Sequence, residues 1–406
     1  MKPEFKMLVR CCGIARNIPQ KCELAFAQLS SDFDQGFFVH LAYQHKMAEA
    51  AQIGLKKLGL ALQPENAGRL RQCVLKGRML RELILEEAAA ITNAANRAGM
   101  SVLVLKGPSS SLQLYGDALE REFTDLDLLV NLPTIDQALP FMAARGWEPG
   151  NDRPAGDDAL PPSVVIVRSH HVVFWKKGYP FRVELHDRTG WERELFVRDN
   201  IDGVFSRAVR LEQRGNVFFA PALPDHAVLI IAHGTQHAWA LLHWLIDAAA
   251  IFNGADLNLE RKIELHNAIA DRICSLDMQR QLKLAYKLAR MFFIVDLTPA
   301  LESAVMGQAS LDKSLAFALA RLQAGAADMS TFRNMIAFRL AYAPPLFPRA
   351  KGKMLSAFML FRIPPKDAEA LPLPRPLFFI HFFLRPFFVL SRRVKRYRER
   401  KAGAHD

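Results

Sequence analysis

Two aspartates separated by one residue, Asp125 and Asp127 in the run DLDLLV (Asp125 to Val130), are the chain's strongest chemical signal. In a strand, residues i and i+2 share a face. Both carboxylates therefore point one way, while Leu126 and Leu128 point the other way into a core. Eighteen residues before Asp125, the hydrophobic run VLVL (Val102 to Leu105) has just ended at Lys106-Gly107. A glycine there lets the backbone approach a ligand closely. Ser109, Ser110 and Ser111 follow at a predicted helix start, and the N–H groups of a first helical turn make an anion site. Paired carboxylates beside a phosphate cradle suit Mg²⁺, which takes hard oxygen ligands and shares them with substrate phosphates. In a later run, FRVELH, Phe181, Val183 and Leu185 alternate with Arg182, Glu184 and His186. That period of two predicts a strand with a polar face centred on Glu184, a third carboxylate able to complete a two-metal site. Lys106 and Arg121 are the cations expected to meet phosphate. His186 stays open between a metal or substrate ligand and a structural hydrogen bond.

The elements that must position these residues follow from hydrophobic period and turn signals. Residues from about Cys22 to Gly99 read as helices, and the character changes at Ser101. The two short strand runs above are joined by VVIV (Val164 to Val167) and HVVFW (His171 to Trp175), with a crossover helix expected within Pro133 to Arg145. The polar stretch NDRPAGDDALPP (Asn151 to Pro162) reads as a loop. From Pro224 to about Leu340 the chain is helical again, until prolines crowd in from Pro344 to Pro376. This order predicts an α+β protein with a small mixed sheet flanked by helical regions. Its expected divisions are a helical region over 1–100, the α/β core over 101–222, a helical domain over 223–342 and a Pro-rich linker and tail over 343–406. The chain carries its own control for motif chance: VLKG occurs at Val74 to Gly77 as well as Val104 to Gly107. The first copy lies in a helical pattern with no Asp-x-Asp at the right distance. His233 and His237, four apart on one helix face, lack the acidic residue of a zinc helix and are expected in the core or lining a nucleotide pocket.

The ordered set Lys106-Gly107, Tyr115, Arg121, Asp125-Leu-Asp127 and Glu184-Leu-His186 resembles the uncharacterised nucleotidyltransferase family of the DNA polymerase β-like superfamily. The later helix IIAHGTQHAWALLHWLIDAA, with His233, Trp239, Trp244 and Asp247, is similar to that family's His- and Trp-rich helix. The resemblance implies a nucleotidyltransferase core in which a nucleoside monophosphate passes from an NTP to an acceptor hydroxyl, releasing pyrophosphate. It implies two Mg²⁺ ions held by Asp125, Asp127 and Glu184, and a nucleotide bound by Lys106, Gly107, Ser109, Ser110 and Arg121. The chain departs from the pattern at Pro108, which removes an N–H after the cradle glycine, and at Asp187, where an aromatic residue is usual. Pro108 is the feature that favours the alternative, a catalytically inactive nucleotide-binding or scaffold protein peripheral to the membrane.

Composition bounds these readings. Half of the 406 residues are hydrophobic, with 22 Gly and 23 Pro, which excludes a mainly disordered chain. No stretch reaches the ~20 uncharged apolar residues of a membrane span. Lysine and arginine outnumber acidic residues 53 to 41, a surplus of 12, but Ser391 to Lys401 alone carries seven basic residues and one acidic. A surplus concentrated this way argues against sequence-specific DNA binding. Just before it, LFFIHFFLRPFFVL (Leu377 to Leu390) holds six phenylalanines. An aromatic segment beside a polybasic one suits an anionic membrane surface, so Leu377 to Lys401 is either such an anchor or a helix packed on the body. Five cysteines without a CxxC, and an N-terminus lacking a secretory apolar core, predict a cytoplasmic protein, peripheral at the inner membrane face if the tail binds there.

Overall fold

Proline in the first turn starts both of the helices that frame the N-terminal region, where its missing N–H costs nothing and its fixed φ is already helical. They are α1 (Pro3–Ala15) and α4 (Pro64–Arg97), the latter 34 residues long. Between them run α2 (Gln35–Gln44), capped by Asp34 accepting from the Phe37 amide at 2.8 Å, and α3 (Ala48–Lys57). The start of α1 at Pro3 is earlier than the helical pattern suggested. Helices α1 and α3 approach closely at Gly54: a Cβ there would fall 2.3–2.5 Å from the Cys11 backbone, so only glycine fits. The computed structural model describes residues 1–21, 33–131, 137–150, 171–186, 201–254, 257–306 and 310–324, with positions 338, 371, 380, 383–384 and 387–388 beyond. The VVIV run, the 151–162 loop, the proline cluster and most of the aromatic and basic tail lie outside the described residues.

After α4, strand β1 (Val102–Val104) leads through Gly107 into α5 (Pro108–Tyr115), then β2 (Leu126–Val130), α6 (Ala138–Ala143), β3 (Glu148–Pro149), β4 (His171–Trp175) and β5 (Val183–His186). The sheet order is β1-β2-β5-β4-β3. Strand β2 pairs antiparallel with β1 and parallel with β5, while β4 pairs antiparallel with both β3 and β5, so the sheet is mixed. All five residues of β2 are buried, as befits a strand covered on both faces. Val102, Val104, Leu126, Leu128 and Val130 join Ile84, Leu85 and Trp147 in one core, and Leu103, Leu105 and Leu129 enter a second. The sheet therefore separates two hydrophobic cores, which fixes the face on which Asp127 emerges.

Helix α7 (Ile201–Ser206) precedes a hairpin of β6 (Val209–Gln213) and β7 (Asn216–Ala220) that the hydrophobic pattern did not single out. Its turn is Arg214-Gly215, with φ of 52° and 74°, the two left-handed residues that a type I′ turn requires. The chain then continues as α8 (Leu223–Gln236), α9 (Leu242–Phe252), α10 (Leu259–Ser275), α11 (Gln279–Phe292), α12 (Pro299–Val305) and α13 (Asp312–Ala324). The second core draws on α1 to α3 as well as on these C-terminal helices, which supply the larger part, so both ends of the described chain close over one apolar interior. No helix among the described residues is long and apolar enough to cross a membrane.

Candidate active site

The acidic site is built by strand register. Parallel pairing sets Asp127 opposite Glu184 and Leu128 opposite Leu185, so the two carboxylates rise side by side. The Leu126 amide donates to the Arg182 carbonyl at 3.0 Å and extends the ladder by one rung. On the other side, the Leu105 amide donates to the Asp127 carbonyl at 2.9 Å, which brings Lys106 over the same strand. Asp125 lies in a bend just ahead of β2, which starts one residue later than predicted, and is linked to the site through Arg182.

Each of these three carboxylates meets a cation or an imidazole. Lys106 Nζ lies 3.2 Å from Asp127 Oδ1, and His186 Nε2 lies 3.0 Å from the same oxygen. Arg182 reaches Glu184 Oε1 at 2.8 Å and Asp125 Oδ2 at 3.5 Å. Burial alone would raise Asp127, but the Lys106 ammonium, followed by His186, outweighs it and holds the carboxyl well below the usual range. Burial, then the neighbouring Asp127 charge, pushes Glu184 up. The donor atoms of Asp127, Glu184 and His186 all lie within 4.8 Å of one another. Two carboxylates and an imidazole at that spacing fit a single divalent ion.

The expected phosphate cradle has its own local logic. Gly107 caps α5 with φ 71° and ψ −116°, and a Cβ there would sit 3.4 Å from the Phe123 ring in a backbone region that side chains avoid. Pro108 occupies the first turn of α5. The amides of Ser109 and Ser110 follow it, without a partner among the described residues. The serine side chains are buried and structural in their contacts. Ser109 Oγ donates to the Lys106 carbonyl at 3.3 Å, and Ser111 Oγ donates to the Asp117 carbonyl at 2.6 Å. Ser110 Oγ is buried without a hydrogen-bond partner among the described residues. Beneath them, His226 Nε2 donates to the Leu105 carbonyl at 2.6 Å while Nδ1 accepts from Gln113 at 2.7 Å. This tautomer ties α8 to the end of β1.

Arg121, expected at phosphate, is engaged elsewhere. Its Nε donates to Asp247 Oδ2 at 2.7 Å, and the Tyr115 hydroxyl donates to Asp247 Oδ1 at 2.7 Å. Arg121 is 7% exposed and Asp247 1%. Burial opposes the guanidinium charge, but Asp247 outweighs it and raises the Arg121 pKa. The loop from α5 to β2 is pinned further by the N-terminal helices: Glu122 accepts from the Glu49 amide at 2.8 Å, and Glu49 in turn binds Arg78 and Arg81. On α8 and α9, His233, His237 and Trp244 pack with ring centroids 4.6–5.4 Å apart. Burial, and next the Lys106 charge, lowers His233 well below the ordinary histidine value.

The structure thus brings Asp127, Glu184, Lys106 and His186 together, with Asp125 joined through Arg182, while Arg121 faces Asp247. Sequence reasoning left out Lys46, whose Nζ donates to Thr124 Oγ1 at 3.1 Å, and the Arg121 partnership of Asp247. No local pattern flags either one, because both contacts join segments far apart in sequence.

Fold and site define a mixed α+β protein with a small sheet that gathers carboxylates and a histidine at one point. The family described as uncharacterised nucleotidyltransferase matches residues 31–293, and the chain belongs to it. That membership supports nucleotidyl transfer as the general class of activity, with a nucleotide as substrate. The crystal structure of an antigenic nucleotidyltransferase-like protein from Paracoccidioides brasiliensis matches at 14% identity, covering 55% of this chain and 97% of that one, with a TM-score of 0.31. No curated protein matches the chain.

Proposed function

We propose that the chain is an Mg²⁺-dependent nucleotidyltransferase that moves a nucleoside monophosphate from an NTP to an acceptor hydroxyl. The observation that carries this reading is the β2–β5 register, which seats Asp127 beside Glu184 with His186 in reach of both. Asp127 and Glu184, with Asp125 just ahead of the strand, would hold Mg²⁺ through carboxylate oxygens, and His186 would orient Asp127 through its 3.0 Å contact with Oδ1. When bound there, the ion would stabilise charge on the phosphoryl oxygens and make the attacking hydroxyl more acidic. The Ser109 and Ser110 amides, reached over Gly107, bind phosphate oxygens at the start of α5. Lys106, already beside Asp127, neutralises phosphate charge as the nucleotide arrives. Arg121 holds the loop leading to Asp125 through its buried pair with Asp247.

In the transfer itself, the acceptor oxygen attacks the α-phosphorus in line. The bond to the bridging oxygen breaks, and pyrophosphate leaves with that electron pair. Glu184, pushed upward by burial and Asp127, takes the hydroxyl proton. The test is pyrophosphate release from each of the four NTPs with Mg²⁺ and candidate acceptors. Asp125→Asn/Asp127→Asn is expected to reduce release by about a thousandfold, on the scale of removing a charge-stabilising group. An unchanged rate in that folded double variant would remove the proposal.

A further inference from the structure

The cations around the acidic cluster fall into two kinds. Lys106 lies 3.2 Å from Asp127, Arg182 2.8 Å from Glu184, and Arg121 2.7 Å from Asp247. Lys46 differs from all three. Its Nζ donates to a neutral oxygen, Thr124 Oγ1, at 3.1 Å, and no carboxylate among the described residues lies within 4.0 Å of it. Yet Lys46 stands in the field of the site. Thr124 immediately precedes Asp125, and burial lowers the Lys46 pKa while Asp125 is the leading opposing charge. Lys46 is half-buried with its hydrogen bond to Thr124 at the surface, so its charge is open to an anion arriving from solvent. Lys46 has the position of a site residue without the counter-charge that the other three have among the described residues.

The turn that carries it is firmly built. Lys46 adopts φ 55° just past the end of α2, where the Met47 amide donates back to the Ala42 carbonyl at 2.8 Å. Glycine is the usual residue at such a left-handed helix end, so a lysine is held there against backbone preference. Its neighbour His45 is fully buried, accepts the Leu242 amide on Nδ1 at 3.1 Å, and packs edge-on to Phe5 with centroids 5.5 Å apart. The turn is thereby fastened to α1 and to the start of α9, the helix that carries Asp247.

We propose that Lys46 is a substrate-binding residue of this site, supplying from the N-terminal helices a cation that pairs with the polyphosphate of the NTP. The inference rests on the nucleotidyltransferase reading above. It makes the N-terminal helical region part of the nucleotide site, beside the motif-bearing core.

The experiment measures equilibrium binding of Mg–ATP, Mg–GTP, Mg–CTP and Mg–UTP to the full chain, in wild type, Lys46→Met, Lys46→Arg and Thr124→Val. The tightest nucleotide is compared with its unphosphorylated nucleoside. Lys46→Met is expected to weaken the nucleotide by about 10- to 100-fold, the worth of one charged hydrogen bond, and to leave the nucleoside unchanged. Lys46→Arg should restore most of the affinity, and Thr124→Val should change it by less than about threefold, since it keeps the charge. If Lys46→Met melts at the wild-type temperature and binds the nucleotide as tightly, the role of Lys46 is overturned while the proposed function stands. Equal weakening of nucleotide and nucleoside would also overturn it, as a loss of structure. If wild type binds no Mg–NTP, both proposals fall together.

Discussion

Replacing Asp247 by alanine would leave two buried donors, Arg121 Nε and Tyr115 Oη, without their acceptor. Arg121 and Asp247 are 7% and 1% exposed, so water cannot readily take the lost partner's place. Breaking a buried pair from one side costs about 3–5 kcal/mol. Asp247→Ala is therefore expected to destabilise the chain by about 4 kcal/mol, a large share of the ~5–15 kcal/mol that holds a typical domain folded. Arg121→Met should cost about 3 kcal/mol, stranding the carboxylate but leaving it the Tyr115 hydroxyl. Tyr115→Phe, which removes one hydrogen bond and no buried cation, should cost only about 1–2 kcal/mol. Arg121→Met combined with Asp247→Leu removes both charges, so its cost should fall at least about 2 kcal/mol short of the sum of the single changes. Urea unfolding at pH 7, read as midpoint shifts at a common slope, measures the cycle. Additive costs, or single changes below about 1 kcal/mol, would refute the account of Arg121 as a buried anchor for the loop leading to Asp125.

The duplicated VLKG motif gives an internal comparison. Lys76→Ala, at an exposed position of α4, should alter stability by less than about 0.5 kcal/mol and leave pyrophosphate release unchanged, whereas Lys106→Ala, beside Asp127, should reduce release at least tenfold. Equal effects in the same release assay would show that the strand context of Lys106 confers nothing. Acid stability provides another test. Burial holds His45 and His226 near pKa 4, against an ordinary value of about 6.5. The unfolded chain then takes up protons below about pH 6.5 that the folded chain refuses until about pH 4. Their contribution is fully present above that window and is lost as pH falls through it, by about 2 kcal/mol per histidine at pH 5. Urea midpoints from pH 7 to 4.5 should fall accordingly, with a shallower slope in His226→Gln, and a flat profile would contradict the buried neutral assignment.

Much of the site scaffold was legible because its signals are local. The alternation in FRVELH predicted a strand with Glu184 and His186 on one face, and β5 carries both residues in that order. The Lys-Gly ending of VLVL matched a real strand end, with Gly107 at a positive φ. The β6–β7 hairpin also has a local signal, Arg214-Gly215 between its two strands. Other features had none. Glu49, Arg81 and Glu122 occupy polar positions that resemble a solvated face, yet Glu49 and Arg81 pair in the interior and Glu122 braces the Glu49 amide. A charge pattern along one segment does not reveal which distant segment covers it.

The sequence by itself determined that Asp127 turns away from Leu126 and Leu128, that Glu184 and His186 share a face, and that a glycine turn follows the first strand. Those are properties of backbone period and single-residue sterics, complete within a few residues. Tertiary structure alone decided that the two faces are the same face, through the parallel register that places Asp127 beside Glu184. It also decided that Arg121 is engaged by Asp247 while Lys46, from a helical turn 79 residues before Asp125, stands beside the acidic loop without a carboxylate partner among the described residues. Side-chain charge is written in the sequence, but its partner is chosen by packing, because a charge in a folded interior answers to what lies within a few ångströms across the fold.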